Sequence, residues 1–263
     1  RSEQPMNMTA TKAILALLAM TMAGCVYAQE RWSPVPGNAW QIQLQGKIDT
    51  SIPAGVYIID LFDAPQSVID SLHARNVKVV CYFSGGTFEN WRSDAALFPE
   101  VVKGTALGDW PGEFWLDVSR VDILGPIMAA RLDLAKVKNC DAVDVDNVDG
   151  YANDNGVGLT YESQLAYNKW LAAAAHYRGL SIGLKNNLNQ IPDLINDYDF
   201  AVNEQCQQYR ECALLTPFIA QNKAVFAIEY KGTLSTICTK AKALNIDVLK
   251  KRLDLKAWRQ ACI

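Results

Sequence analysis

Histidine is nearly missing from this chain: there are two in 263 residues, His73 and His176. Both fall inside helical runs and read as helix-surface residues, so neither a His-bound metal hydrolase or deacetylase nor a Ser-His-Asp triad is supplied with its parts. No Cys-x-x-Cys pair occurs, which leaves thiolate zinc sites and thioredoxin-type chemistry without ligands. There is no Gly-x-Gly-x-x-Gly after the first apolar run, no Gly-x-Ser-x-Gly elbow and no phosphate-binding loop. Excess charge of one sign is lacking too. The 25 Lys and Arg stand against 28 Asp and Glu, a net charge of −3, so the basic footprint of a nucleic-acid binder is missing. The short cluster Lys250-Lys251-Arg252 sits beside Asp247 and Asp254 and reads as a solvated face.

What is present first is an export pattern. Ile14 to Met22 is an apolar run preceded by Lys12 and followed by small residues, the layout of a secretory leader, and it is shorter than the ~20 residues of a membrane span. Two exits are open: cleavage after Ala28, which we favour, or lipidation of Cys25 in Met22-Ala23-Gly24-Cys25. The first predicts a secreted protein, the second a lipid-anchored envelope protein, the only route to a membrane. Met6 or Met8 would start a normal leader. Residues 1–28 are thus read as a removed leader, and residues 29–263 as one domain, expected to be monomeric. Six cysteines remain after such removal, an even number that suggests disulfides. Cys206–Cys212 is the easiest closure and Cys238–Cys262 would pin the C-terminus, whereas Cys81, in an apolar run, is read as a buried thiol.

From Gly55 onward short apolar runs alternate with helical ones. The apolar runs cover 55–62, 77–84, 114–118, 142–148, 181–186, 200–205, 223–230 and 246–249. They are rich in Val, Ile and Phe, as strands buried on both faces are. Between them, Asp63 is placed to cap a helix to Arg75 with Val68, Ile69 and Leu72 inward. A second helix candidate is 122–137. Thr160 caps a third, closed by Gly179, with Ala166, Trp170, Ala173 and Tyr177 on one face. Beyond Thr233 the pattern reads as a last helix, strand and helix. Eight strands alternating with helices predict a single-domain (β/α)8 TIM barrel, with a doubly wound open sheet as the alternative.

A barrel of this kind builds its site at the C-terminal strand ends, and those ends are polar here: Asp60, Tyr82 to Ser84, Asp117, Asp144 to Asn147, Lys185 to Asn187, Asn203 to Gln205, and Glu229 to Tyr230. Charges there are costly unless paired, hydrogen-bonded or facing water, and five acidic ends cannot all be neutralised by Lys185. With no histidine at hand, the inventory of carboxylates with Tyr, Asn, Lys and Trp suits glycoside hydrolysis, in which one carboxylic acid protonates the leaving oxygen and a second carboxylate attacks the sugar or activates water. A calcium loop starting at Asp144 fails, since Val148 stands at its fifth position. Strand alternation puts Asp144 and Asp146 on one face, Asp144 deeper and expected to pair with Lys185. No metal and no cofactor is called for.

Several longer stretches resemble glycoside hydrolase family 114: Trp110 to Asp117, Asp146-Asn147-Val148-Asp149-Gly150-Tyr151, Gly183 to Asn186, Asn203 to Cys206, Tyr82 to Gly86 with Glu89-Asn90-Trp91-Arg92, and Val225 to Tyr230. The resemblance implies a TIM-barrel endo-α-1,4-polygalactosaminidase that degrades galactosamine-containing exopolysaccharide. It carries the family's catalytic Asp to Asp146 and its catalytic Glu to Glu204, here read as nucleophile and general acid/base of a retaining reaction. The sequence departs from the family pattern just before Asp146, where Ala142, Asp144 and Val145 replace the common Gly, Glu and Pro. A cationic amino-sugar polymer is then the expected partner. Asp60, Asp117, Asp149 and Glu229 would attract it, Trp110 is the best sugar platform, with Tyr82 and Tyr230 further flat faces, and Asn147, Lys185 and Asn203 complete the expected binding set. The competing expectations are a barrel glycosidase on another galactose-type polysaccharide and a non-catalytic carbohydrate-binding barrel.

Overall fold

The computed structural model describes residues 31–262, so the expected leader and Cys25 lie outside the described residues. In chain order the strands are β1 (Trp40–Gln43), β2 (Val56–Asp60), β3 (Lys78–Ser84), β4 (Thr87–Glu89), β5 (Lys103–Ala106), β6 (Glu113–Leu116), β7 (Ala142–Asp146), β8 (Ser181–Lys185), β9 (Phe200–Glu204), β10 (Val225–Glu229), β11 (Asp247–Lys250) and β12 (Gln260–Ala261). The helices are α1 (Gln66–His73), α2 (Val121–Val137), α3 (Tyr161–Tyr177), α4 (Ile191–Leu194), α5 (Cys206–Tyr209), α6 (Thr216–Ala220) and α7 (Leu234–Leu244). Strands β1, β2, β3, β7, β8, β9, β10 and β11 pair in that order, each parallel to the next, as the curled wall of a (β/α)8 barrel.

The wall is apolar on both faces. Trp40, Ile42, Ile58, Val80, Phe200 and Phe226 fill the inside, while Ile59, Val79, Val143, Ile182 and Ala227 meet the surrounding helices. Such strands lose their alternation and read as continuous hydrophobic runs, which is why seven of the eight wall strands were visible. The eighth, β1, is Trp-Gln-Ile-Gln and buried throughout. Its glutamines hide it: Gln41 donates to Ala257 O at 2.8 Å, and Gln43 donates to Lys47 O at 2.8 Å. The run 114–118, expected in the wall, belongs instead to β6, the middle strand of a small antiparallel sheet ordered β4-β6-β5 and inserted between β3 and α2. Strand propensity cannot tell the two sheets apart.

No ladder joins β1 to β11. Chain following β11 fills the seam: Leu44 N–H donates to Leu255 O at 3.0 Å, Trp40 Nε1 donates to Asp247 O at 3.0 Å, and β12 lies antiparallel on β11. The helix expected at the C-terminal end is therefore absent among the described residues. Lys251 is not solvated either. It is 1% exposed and donates to Lys256 O at 2.7 Å, and burial, with Arg259 nearby, pushes its amine down to about 8.

Two helix details also differ from the sequence reading. Pro65, not Asp63, precedes α1, and no side chain caps it. Thr160 does cap α3, in a reciprocal pair with Ser163, but the helix buries Gln164, Tyr167, Asn168 and Leu171 while Tyr177 is 89% exposed. Counting apolar residues selected the wrong face because Asn168 is buried to donate to Val148 O at 2.9 Å, and Gln190 Nε2 reaches Tyr161 O at 2.8 Å. Three disulfides are present, Cys81–Cys140, Cys206–Cys212 and Cys238–Cys262. Cys81 is thus not a free thiol. It faces outward from β3 toward Cys140, which follows α2.

Candidate active site

Three neighbouring strands end alike. Asp146, Lys185 and Glu204 are the last residues of β7, β8 and β9, and each is followed by a residue with positive φ: Asn147 at 61°, Asn186 at 49° and Gln205 at 66°. Asn accepts this left-handed conformation more readily than most side chains, and the sharp turn lets a residue leave the wall just after placing its predecessor on the rim. Gly86 shows how closely the chain approaches here: a Cβ on it would lie 1.6 Å from Asn147 O.

Lys185 sits between the two acids. Its Nζ is 3.2 Å from Asp146 Oδ2 and 3.6 Å from Glu204 Oε2. These two oxygens share one neighbour, so they lie no farther apart than the sum of the two distances, about 6.8 Å. Burial alone would lower the Lys185 pKa, but Asp146, Glu204 and Asp144 outweigh it and hold the amine well above its ordinary value. Asp146 also accepts the Tyr82 hydroxyl at 2.8 Å and the Asn147 N–H at 2.8 Å. Burial, then the Asp146 charge, raises the Tyr82 phenol and keeps it a donor. Glu204 Oε1 accepts the Tyr230 hydroxyl, and Asn186 Oδ1 accepts the Glu204 N–H at 2.9 Å.

Two residues earlier on β7, Asp144 is fully buried, and neither of its oxygens has a hydrogen-bond partner among the described residues. It does not form the expected ion pair with Lys185, which points up to the rim. Burial, with Asp146 and Glu204 adding repulsion that Lys185 only partly offsets, pushes its carboxyl up to about 7.

Asp146, Glu204 and Lys185 line a hollow of about 370 Å³, together with Asp60, Tyr82, Asn147, Trp110 and Tyr230. A second hollow of about 310 Å³ shares Asn186 and Glu204 with it and holds Asp149, pushed up to about 6 by burial and by Asp146, and Asn203. A third shares Asp60 and Asp63 with the first. The three hollows adjoin one another in sequence, the first sharing lining residues with each of the others, and Glu204 lies where the first two meet.

Two expected site residues lie elsewhere. Asp117, past the end of β6, spends its carboxylate on the Ser119 N–H at 3.2 Å. Glu229 alternates with Ile228 and Tyr230 and so points outward, where it accepts the Gln207 N–H at 2.7 Å. Near it, Cys206 and Cys212 complete a metal-like trio, but their sulfurs are bonded to each other and offer no thiolate. Asn203, by contrast, lines the second hollow, and its amide donates to Asn186 Oδ1 at 3.3 Å. The histidines serve the opposite end: His73 meets Asp141 and His176 meets Asp199, each at 2.8 Å, beside the starts of β7 and β9.

Sequence reasoning overlooked a group supplied by the inserted sheet. Arg92 is buried and bonds Asp60 Oδ2 at 2.7 Å and Glu89 Oε2 at 2.9 Å. Glu113, buried at the start of β6, accepts Asn147 Nδ2 at 3.1 Å and the Thr87 hydroxyl. Asn147 therefore links Glu113 to Asp146. Both acids stood inside quoted motifs, and their off-wall position concealed them.

A profile for glycoside-hydrolase family GH114 matches residues 23–263. The chain belongs to family GH114. Comparison with curated protein sequences gives no significant match. Among solved structures, Aspergillus fumigatus Ega3, crystallised in complex with galactosamine, is 42% identical with a TM-score of 0.85 over 90% of this chain and 100% of that one. The glycoside hydrolase domain of PelA from Pseudomonas aeruginosa is 11% identical, with a TM-score of 0.66 over 86% of this chain and 98% of that one. A GH18 chitinase from Pseudoalteromonas aurantia shares the fold at 10% identity, with a TM-score of 0.53 over 82% and 94% of the two chains. As a GH114 member on a TIM barrel, this protein is a glycoside hydrolase.

Proposed function

We propose that this hydrolase cuts within α-1,4-linked galactosamine polymers of the exopolysaccharide kind, with Asp146 as nucleophile and Glu204 as general acid/base. The observation that carries this reading is the Asp146–Lys185–Glu204 bridge at the mouth of the barrel. A separation capped at about 6.8 Å favours retention, which needs roughly 5–5.5 Å, over most of the inverting range of about 6.5–9.5 Å. Asp146 receives three donors, from Tyr82, Asn147 and Lys185, which fix the orientation of its carboxyl at the hollow. Glu204 lines both adjoining hollows, where a linkage between two bound sugars would present its oxygen.

In the first step Asp146 bonds to the anomeric carbon as the bond to the leaving oxygen breaks, and Glu204 gives that oxygen its proton. In the second, Glu204 takes a proton from water, whose oxygen displaces Asp146. An open groove shared by three hollows suits internal cleavage. The galactosamine in the Ega3 complex and the acidic lining of the groove favour a cationic substrate, with Asp60, Tyr82, Trp110, Asn147, Asp149 and Lys185 in contact with sugar or holding those that are. Three disulfides fit an oxidising compartment and support export.

Purified enzyme should shorten a galactosamine polymer. Asp146→Asn should abolish the reaction, and Glu204→Gln should lower it by about 10²–10⁴-fold. A folded wild-type enzyme that leaves the polymer intact refutes the substrate, and a Glu204→Gln variant of full activity refutes the assignment. Product anomers followed by NMR report retention directly.

A further inference from the structure

The carboxylates lining the central hollow divide by their cations. Asp60 and Glu89 share Arg92. Asp146 and Glu204 share Lys185. Asp63 is exposed and lies 3.6 Å from Arg92. Glu113 lines the same hollow, is 6% exposed, and forms no ion pair among the described residues. Its Oε1 is occupied by the Thr87 hydroxyl and by Asn147 Nδ2. Its Oε2 accepts no hydrogen bond among the described residues and is not among the sealed, partnerless polar atoms. A buried carboxyl with no direct ion-pair partner and one free oxygen is a costly arrangement, and a cation arriving from the groove relieves it.

We propose that Glu113 is the acceptor for the ammonium group of a bound amino sugar, and that it sets the preference for deacetylated over N-acetylated units. This rests on the amino-sugar reading above. An N-acetyl group brings neither a positive charge nor more than one N–H, and it must fit a larger acyl group against the same oxygen. The Asn147 side chain holds Glu113 at a fixed offset from Asp146, whose Oδ1 takes the Asn147 N–H, so the amine would be read on or next to the sugar under attack. Burial, then Glu89 and Asp146, pushes the Glu113 carboxyl up to about 7 against the pull of the Thr87 hydroxyl and of the Arg92 charge. An ammonium beside it reverses that trend.

The test compares wild type with Glu113→Gln on a defined galactosamine oligomer and its fully N-acetylated counterpart. Gln keeps an oxygen for Thr87 and Asn147, removes the charge, and puts an NH2 that cannot accept in place of Oε2. The expected result is a fall of about tenfold or more in the ratio of kcat/KM for the deacetylated over the acetylated oligomer, carried by KM. Where the acetylated oligomer is not cut, its inhibition constant replaces its KM. Glu113→Asp, which keeps the charge on a shorter arm, should recover part of the ratio, and it serves alone if the Gln variant does not fold. An unchanged ratio in Glu113→Gln, or a loss confined to kcat and equal on both oligomers, overturns the proposal and leaves the function standing. A wild-type enzyme inert on the deacetylated oligomer brings down the substrate reading first.

Discussion

Asp144 carries a cost that can be measured. An acid whose folded pKa rises from 3.8 to about 7 holds a proton in the native state that the unfolded chain has already released. Stability then falls as pH rises through that window, and the full penalty is felt above it. Asp144→Asn removes the titration. Relative to wild type it should gain stability between pH 5 and 8, on the order of 3 kcal/mol, as read by denaturant unfolding at both values. A pH-independent difference between the two proteins refutes this. Residue-level legibility in the sequence followed strand parity. With Asp146 on the inner face, Asp144 had to be inner as well, and with Tyr230 inner Glu229 had to be outer, a step not taken. Which acid Lys185 meets was not legible, because that depends on a three-strand geometry rather than on spacing along one strand.

The inserted segment between β3 and α2 brings charges to a rim it does not belong to. Its anchor is Arg92, 8% exposed and bonded to Asp60 from the wall and Glu89 from β4. Arg92→Met strips two buried carboxylates of their cation and should cost about 3–5 kcal/mol, seen as a lower thermal midpoint together with weakened catalysis. A variant that melts with the wild type shows that the insertion docks by other means. Wall elements were readable because strands buried on both faces need uninterrupted Val, Ile and Phe. β1 escaped because its polar side chains are satisfied by loops far along the chain, such as Gln41 by Ala257. The buried face of α3 escaped for the same reason.

At the scale of the molecule the net charge is only −3, yet the groove collects acids whose cations are outnumbered. Attraction for a polycation should therefore be local and partly screened. Raising salt from about 0.05 M to about 0.5 M shortens the Debye length severalfold. It should raise KM for a deacetylated polymer severalfold with little change in kcat, whereas an N-acetylated polymer should show a much smaller effect. Equal salt response for both polymers in initial-rate assays contradicts an electrostatic contribution to capture.

The barrel's seam has a consequence for how the protein comes into being. Eight wall strands emerge from the ribosome in spatial order, but Gln41 waits for Ala257, the Trp40 carbonyl waits for Arg259, and Cys238 waits for Cys262. Closure cannot be completed before residues 257–262 have been made. Residues 257–262 act as the latch, so the eight strands have no fastening across the seam until that segment docks, and cutting the chain just before it should loosen the whole cylinder.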